Sequence, residues 1–291
     1  MPNSITKFKK YIDKLDAVYK YASVTAALDS DSSLAQAGKN ANEIVIPKIS
    51  MQGLGDYSRS NGYASGDVNV TNETVQFNYE RGRKFTVDAM DNEETAGVAF
   101  GKLSSEFIRT KVAPELDAFR FATYAGTSNI GTTAAADLST GADVIAALRA
   151  GTNAMDEAEV PTDQRMLFIT PTLLALTADL DTNKSKKVLE EFKAITKVPQ
   201  TRFYTGIKLN DGRTSGEEAG GYAKATGAKN INFMIISKDA LMQYTKHLVN
   251  KVITPEENQE ADAWAFFFRA YGLADVYENK TAGIYLHKAT T

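Results

Sequence analysis

The sequence contains no cysteine and only two histidines, His247 and His287, among its 291 residues. The lack of cysteine excludes disulfides, zinc–thiolate sites, iron–sulfur clusters and cysteine nucleophiles. The two histidines lie far apart in the chain, and neither belongs to a cluster of metal-ligand type. We therefore expect no metal and no cofactor.

A long hydrophobic run is also missing, because no stretch of about 18 apolar residues occurs and no membrane-spanning helix is expected. The N-terminus is charged from Lys7 onward and has no apolar segment of signal-peptide length. The net charge is −3, so a DNA contact would need a local basic patch. These properties predict a protein that stays in the cytoplasm of the cell that makes it, away from membranes.

The hydrophobic periodicity predicts an α+β fold whose N-terminal part is extended. Residues 4–22 carry apolar side chains at steps of three and four, which predicts an amphipathic helix. Residues 43–49 read as a strand, and the glycine- and serine-rich residues 51–67 as an exposed excursion. Alternating apolar residues over 67–88 predict a long β-hairpin, with its turn at the TNET sequence of residues 71–74.

A long helix is the most regular predicted element. A helical stripe runs over residues 91–125, Pro114 predicts a bend near Ala113–Pro114, and Gly126 marks the end. The remaining chain alternates helices and strands. Helices are predicted at 143–158, 171–180, 186–195 and 238–247, strands at 165–170, 201–209, 231–237, 248–254, 262–278 and 283–288, and a glycine-rich loop at 210–230. The turn at 278–283 predicts that the last two strands form a hairpin.

An acidic cluster, VDAMDNEET at 87–95, is the stretch that most resembles a catalytic or metal site. Glu93 and Glu94 would point about 100° apart on a helix, which disfavours a shared metal. Asp91 as N-cap and Glu94 three residues later fit a capping box instead. We interpret the cluster, which also includes Asp88, as the start of the long helix.

No catalytic signature stands out elsewhere. The series from Asp179 to Glu190 partly matches a calcium-binding EF-hand loop, but Lys184 stands where that loop requires glycine. Nucleophile-elbow, zinc-protease and dinucleotide motifs are missing. An enzyme is therefore not expected, although a hydrolase based on two carboxylates stays open because such pairs have no fixed spacing.

The order of these elements resembles the major capsid protein of tailed bacteriophages, with the Hong Kong 97 fold. The most specific local match is FTVDAMDNEETAGVAFGKLSSEFIRTKVAPELDAFRFATYAG at 85–126, and VPQTRFYTG at 198–206 and FFFRAYGLADVYENKTAGIYLHK at 266–288 are similar to further parts of that fold. The resemblance implies an N-terminal arm (1–50), an E-loop hairpin (51–84), a long spine helix of the peripheral domain (85–129), an axial domain (130–247) and C-terminal strands of the peripheral domain (248–291).

The resemblance also implies a function. The chain would self-assemble into hexamers and pentamers that form the icosahedral phage head around double-stranded DNA, with scaffolding and portal proteins as partners. It would be a virion component assembled in the host bacterial cytoplasm, and it would contact DNA non-specifically, with the N-terminal lysines as the expected contacts. The E-loop would cover a neighbouring subunit, with contacts from Asp56, Arg59, Glu73, Glu80, Arg81 and Arg83.

Residues 49–83 contain no lysine, so an isopeptide crosslink from the E-loop is not expected. The shell would then be held non-covalently. Two alternatives remain open from the sequence: the shell protein of an encapsulin-like bacterial compartment, and a soluble carboxylate-based hydrolase.

Overall fold

A computed structural model of the chain describes residues 23–30, 36–37, 43–90, 106–180 and 183–290. The predicted helix at 4–22 and the predicted capping residues Asp91 and Glu94 lie outside these ranges. The fold is α+β. In the described part of the chain the strands form four sheets, and the helices pack on two of them.

The sheets differ in size and in strand order. The first has the order β1 (Gln36–Ala37), β2 (Glu43–Met51), β3 (Val68–Gln76). The second has the order β5 (Gly131–Thr132), β13 (Ile284–Lys288), β10 (Ile231–Ser237), β6 (Arg165–Ile169), β7 (Ala194–Lys197). The third has the order β11 (Leu241–Ile253), β12 (Ala263–Val276), β4 (Tyr79–Asp88), and the fourth pairs β8 (Ile207–Leu209) with β9 (Tyr222–Lys224).

The helices are α1 (Ala113–Gly126), α2 (Gly141–Glu157), α3 (Pro171–Asp179) and α4 (Asn183–Glu190). A π-helical turn, Ile108–Val112, directly precedes α1, and the N–H of Ala113 donates to the carbonyl of Ile108. Pro114 has no N–H to donate, so a widened turn beside it relieves the usual clash with the preceding turn. The irregularity lies where the proline predicted a bend, and α1 ends at Gly126 as predicted.

The main core lies on both faces of the five-stranded sheet. All seven residues of β10 are buried. Met234 and Ile236 pack with Phe121 and Tyr124 of α1, in a cluster that also holds Phe168. The alternate residues of β10 pack on the other face, with Val144 and Leu148 of α2. A strand covered on both faces reads as a continuous apolar run, which is why the sequence predicted it correctly.

The long helix packs on the third sheet. Ile108, Val112 and Leu116 form one buried cluster with Phe266 and Phe268 of β12. The long helix and the C-terminal aromatic strand therefore share one buried core.

The predicted hairpin within 67–88 is wrong. Residues 68–76 form the uninterrupted strand β3, which pairs with β2, while β4 pairs with β12 of another sheet. The predicted TNET turn is therefore the middle of a strand. Most side chains of β3 are exposed. Without a buried face, the alternation of apolar residues did not show whether the strand continues through TNET or turns there.

The predicted helix at 238–247 is also wrong, since a short helical turn at Lys238–Ala240 leads directly into β11. Leu241 to Tyr244 are four consecutive buried residues, which fits a strand covered on both faces. The predicted final hairpin does not form either, because β12 and β13 belong to different sheets and Glu278–Gly283 is a helical crossover between them.

Two shorter predictions hold only in part. The helix predicted at 186–195 starts earlier and ends at Glu190, and β7 follows it. The strand predicted at 201–209 is reduced to β8, because Gln200–Arg202 form a helical turn. In both places a helix or helical turn gives way to a strand within a few residues. Hydrophobic periodicity cannot resolve so short a span.

Candidate intersubunit surface

A projecting hairpin, residues 43–76, stands out on the surface of the described chain. Its strands β2 and β3 pair in register from Glu43–Gln76 to Met51–Val68. Residues 52–67, the hairpin tip, are closed by a bridge in which Ser58 and Gly62 exchange N–H···O bonds of 3.0 and 2.7 Å.

The base of the hairpin is fixed to the body by one face. Ile44 and Val75 lie opposite each other in the register and are buried against Met242, Tyr244 and Leu273. This apolar contact sets the direction in which the hairpin leaves the subunit.

Lys48 adds an electrostatic clamp on the same face of the hairpin. Its Nζ lies 3.4 Å from Oε2 of Glu73 on β3, and it also forms an ion pair with Glu278 of the β12–β13 crossover. The hydrogen bond with Glu278 raises the pKa of Lys48. The clamp marks the point beyond which the hairpin is exposed.

Beyond Lys48 the apolar side chains move to the opposite face. Ile49 lies opposite Val70 and Met51 opposite Val68, so all four point to the same side. Their side chains are 61–71% exposed. We call these four residues the apolar face.

The hairpin tip continues this apolar surface. Leu54 is fully exposed, and the rings of Tyr57 and Tyr63 pack edge to face with centroids 4.8 Å apart. Of the nine exposed large apolar side chains in the described part of the chain, seven lie on this hairpin. Such a concentration of exposed apolar side chains on one element is typical of a contact site for another macromolecule.

The six predicted contact residues separate into two groups. Asp56 and Arg59 are exposed on the hairpin tip. The other four have partners within the subunit: Glu73 with Lys48, Glu80 with Arg269, Arg81 with Glu115, and Arg83 with the carbonyl of Glu218. The intersubunit role of all six stays a prediction, and the structure adds an intrasubunit role for these four.

Arg81 joins three parts of the subunit. Its Nε lies 2.7 Å from Oε1 of Glu115 on α1, and its Nη2 donates to the carbonyls of Asn210 at 2.7 Å and Gly221 at 3.3 Å. Arg83 approaches the same glycine-rich loop so closely that a Cβ on Gly212 would lie 2.7 Å from its Nη1. Gly212 also has a φ of +72°, which favours glycine.

The glycine-rich loop is held by its own hydrogen bonds as well. The amides of Arg213 and Thr214 each donate to Asp211 at 2.8 Å. Together with the Thr214 hydroxyl, they lower the pKa of Asp211 to about 2. Glu217 forms an ion pair with Lys208 of β8. The ends of the loop are thus fixed against β4 and the long helix.

A buried polar network around Asp117 was not predicted from the sequence. Its carboxylate is fully buried and accepts hydrogen bonds from the hydroxyls of Ser23 and Thr25 at 2.7 Å, and from the amides of Val24 and Thr25. Arg202 forms an ion pair with it at 3.1 Å. The network anchors residues 23–25 to α1.

The acidic cluster acts structurally where it is described. Residues 89–90 are already helical, and Asp88 accepts a hydrogen bond of 2.9 Å from the amide of Met90. This helical turn therefore begins at Ala89, before Asp91, and Asp88, the last residue of β4, caps it.

Other candidate sites receive no support in the described part of the chain. Asn183 and Ser185 of the EF-hand-like series belong to helix α4 and not to a loop. Among the residues described, no group of three or more histidines, aspartates and glutamates could hold a metal ion. None of the helices in these ranges is long and apolar enough to cross a membrane.

No protein-family model matches the chain, and no curated protein matches it in sequence. Solved structures do match it in fold. A structure from Mycobacterium phage Che8 has a TM-score of 0.63 at 14% identity, over 91% of this chain and 90% of that one. The capsid structure of cyanophage P-SCSP1u has a TM-score of 0.55 at 13% identity, over 88% and 86%.

A virus-like particle from Pyrococcus furiosus is similar to the same degree, with a TM-score of 0.55 at 13% identity over 95% of this chain and 99% of that one. Each match spans nearly the whole of both chains. The chain therefore has the α+β, Hong Kong 97-type fold of tailed-phage major capsid proteins.

Proposed function

We propose that this chain is the structural subunit of an icosahedral phage head. Copies of it would form hexamers and pentamers that enclose double-stranded DNA. The observation that carries the proposal is the apolar face of the projecting hairpin, which is exposed in the single subunit although it consists of Ile49, Met51, Val68 and Val70.

The geometry favours contact with a neighbouring copy. The base of the hairpin is already committed to its own subunit through Ile44, Val75 and the Lys48 clamp, and the apolar face points the other way. A protruding element that meets a different surface on the next copy makes a heterologous contact, which closes into rings.

The apolar face is large enough to matter energetically. These side chains are 61–71% exposed, so burying the exposed part of all four stabilises a contact by about 4–8 kcal/mol, before the cost of bringing two proteins together. Each subunit of a ring would give and receive one such contact. No covalent crosslink is needed for a shell held in this way.

The domains of the subunit follow from the same proposal. Strand pairing favours placing residues 43–76 in the E-loop hairpin and β4 in the peripheral domain, together with β11, β12 and the long helix. The five-stranded sheet, α2, α3 and the glycine-rich loop would form the axial domain.

The partners and the location of the protein are inferred from the same proposal. Scaffolding and portal proteins would direct assembly in the host bacterial cytoplasm. The N-terminal lysines would contact the packaged DNA without sequence preference, and the subunit would end as a component of the virion.

An enzymatic role is not favoured by the carboxylates that line the cleft between β4, the helical residues before α1 and the glycine-rich loop. Glu106 is paired with Arg109, Glu115 with Arg81, and Asp211 with Thr214. A hydrolase of the carboxylate type needs two acids that face each other across a substrate, whereas each of these is committed to its own partner.

A bacterial compartment shell is the second candidate, favoured by the similarity to the virus-like particle from Pyrococcus furiosus. The two functions differ in what the shell holds. Nuclease-protected DNA inside particles recovered from infected cells supports the phage head, whereas a packaged protein without DNA supports the compartment.

The test of assembly uses the apolar face. We expect replacement of Ile49, Met51, Val68 and Val70 by threonine to leave a folded subunit that no longer forms shells, because threonine keeps the strand propensity and removes most of the apolar contact. The control replaces Ser50 and Asn69, a pair on the opposite face at the same height, by threonine. Circular dichroism and sedimentation velocity report folding and assembly, and normal shells from the quadruple variant would contradict the role of the hairpin.

A further inference from the structure

The third sheet packs on the long helix with one face, and its opposite face is exposed. Phe266 and Phe268 of β12 point to the helix and belong to its buried cluster. Successive side chains of a strand alternate between the two faces. The strand register therefore places Lys251 of β11, Phe267 of β12 and Lys84 of β4 in one row on the other side. We call this side of the sheet the open face.

Basic side chains are concentrated on the open face. A shallow groove of about 580 Å³ lies on it, between the three strands and the glycine-rich loop. The basic residues that line this groove are Arg81, Arg83, Lys84, Arg213, Lys251 and Arg269. Among the described residues that line it, Glu80 is the one carboxylate. The chain as a whole has a net charge of −3, so the groove is a local positive patch on an acidic protein.

The cations of the open face stay available to a ligand although two of them form ion pairs. Arg269 pairs with Glu80. Lys84 pairs with Glu260 at 3.0 Å. All four side chains are 45–80% exposed, and exposed ion pairs contribute little to stability, so a phosphate can replace either carboxylate. Lys251 is exposed and pairs with no carboxylate in the part of the chain that the structure describes.

Two aromatic rings support lysines on this face. Nζ of Lys84 lies 5.4 Å from the centroid of the Phe267 ring, and Nζ of Lys246 lies 4.7 Å from that of Phe77. Phe77 in turn stacks on Tyr271 of β12 at 4.9 Å. A cation is attracted to the face of an aromatic ring, so these contacts hold both ammonium groups over the sheet. The two rings are thereby covered and are not free to receive an apolar side chain of a peptide.

The dimensions of the open face suit a row of phosphates. Lys246 and Lys251 are five residues apart on β11, which is roughly 16 Å along the strand, and three strands make the face about 10 Å wide. Each strand of B-DNA carries one charge about every 3.4 Å of helix axis, so this length matches about five successive phosphates. Contacts to phosphates position a duplex without reading its sequence.

We propose that the open face binds the sugar–phosphate backbone of double-stranded DNA. This inference rests on the proposed function, and it adds a DNA contact within the described part of the chain to the one expected from the N-terminal lysines. It also gives the subunit an orientation. The open face would line the inside of the shell, and the long helix, on the other side of the sheet, would point away from the DNA.

The test measures how the purified chain, kept as free subunits, binds a fluorescent duplex of about 20 base pairs at salt concentrations from about 50 to 200 mM. The variant combines Lys84→Gln with Lys251→Gln. We expect it to bind at least about tenfold more weakly at 50 mM salt, because two phosphate contacts are lost. The slope of log K against log salt concentration should become shallower by about 1–2.

The matched control combines Lys187→Gln with Lys197→Gln, two exposed lysines of α4 and β7. It changes the net charge by the same amount, and we expect it to bind nearly as the parent chain does. Equal losses in the two double variants would overturn the proposal, because binding would then depend on net charge alone. Circular dichroism reports whether each variant is folded.

A variant with the opposite effect excludes misfolding as the cause. Glu260→Gln removes the carboxylate beside Lys84, so it should tighten binding several-fold. Glu191→Gln, at an exposed position outside the groove, should give no such gain. An unchanged affinity of the Glu260→Gln variant would contradict a phosphate contact at Lys84.

Competition identifies the class of partner. Polyglutamate offers carboxylates in place of phosphates, at a comparable charge density. Displacement of the labelled duplex at a lower concentration of charge by unlabelled duplex than by polyglutamate supports DNA as the ligand. The reverse order would make the open face a site for an acidic protein and would overturn the proposal.

The outcomes separate this inference from the proposed function. Normal shells of the parent chain, together with an unchanged DNA affinity of the Lys84 and Lys251 double variant, overturn the role of the open face and leave the proposed function standing. A parent chain that stays monomeric under all assembly conditions overturns the proposed function, whatever its affinity for DNA.

Discussion

The buried carboxylate of Asp117 gives the sharpest test of how the subunit is held together. Its Oδ1 accepts from both hydroxyls of Ser23 and Thr25 and from the Thr25 amide, while Oδ2 accepts from the Val24 amide and pairs with Arg202. The variant Asp117→Asn keeps the shape of the side chain and exchanges one of these oxygens for a donor.

The expected loss in the free energy of unfolding follows from the number of hydrogen-bond donors that lose their acceptor. If the amide nitrogen takes the place of Oδ2, the Val24 amide and the Arg202 guanidinium each face a donor. In the alternative orientation the Thr25 amide faces a donor, while the hydroxyls of Ser23 and Thr25 can rotate to accept from it. A buried unsatisfied group costs about 1–3 kcal/mol, and a buried ion pair broken at one partner costs about 3–5 kcal/mol. We expect a loss of about 3–5 kcal/mol.

The measurement is thermal unfolding of the purified subunit, followed by circular dichroism. A loss of this size lowers Tm by about 5–8 °C in a chain of 291 residues. Hydrogen exchange adds a local readout, because the amides of Val24 and Thr25 should lose protection before the core strands do.

Asp143→Asn is the matched control. Asp143 is the exposed partner of Thr140 in the capping box of α2, so the same chemical change should have a smaller effect there. A loss for Asp117→Asn no larger than that of the control would refute the reasoning that the network anchors the N-terminal segment.

Three further predictions concern other parts of the subunit. Gly141→Ala should destabilise it by about 1–3 kcal/mol in urea unfolding, because a Cβ there would lie 2.2 Å from the carbonyl oxygen of Leu176 on α3, and an unchanged midpoint would contradict this packing. Burial lowers the pKa of His287, so the folded protein favours the neutral ring. The stability from this preference is present above about pH 6.5 and is lost as the pH falls below that value towards the folded-state pKa. The free energy of unfolding of a His287→Phe variant should therefore decline less between pH 7 and 5. Arg81→Gln should cost about 1.5–3 kcal/mol, because Glu115 loses its charged partner, and should speed tryptic cleavage in the glycine-rich loop while cleavage elsewhere stays unchanged.

The sequence predicted best where burial and periodicity agree. The buried strands β6 and β10, the amphipathic helix α2 and the end of α1 at Gly126 all lie where the pattern placed them. The resemblance to the capsid family rested on the order of elements, and structures that match over nearly the whole chain at 10–14% identity bear out the fold. Sequence similarity at that level is too low for residue-by-residue transfer.

The failures share a physical cause, which is that strand partners depend on contacts distant in sequence. Strand β3 is exposed over most of its length and only Val75 is buried, so nothing local showed that it pairs with β2 rather than with β4. The segment from Leu241 looked helical, yet β12 supplies a partner for nearly every residue of it. Local propensity cannot report partners that follow 12 to 35 residues later in the chain.

The candidate site was predictable only in part. The sequence identified the exposed excursion and its charged residues, including Asp56 and Arg59. It could not show that Arg81 pairs with Glu115, because these residues meet only after β4 has joined the sheet on which the long helix packs. The apolar face likewise requires the register between Ile49 and Val70, which only the folded hairpin provides.

Electron microscopy of the purified chain is the most direct test of the proposed assembly into a closed shell. The chain should be examined alone and together with the scaffolding protein of its source, at several ionic strengths. We expect uniform hollow shells, or rings of six and five subunits, in at least one of these conditions. A strictly monomeric protein in every condition would contradict it.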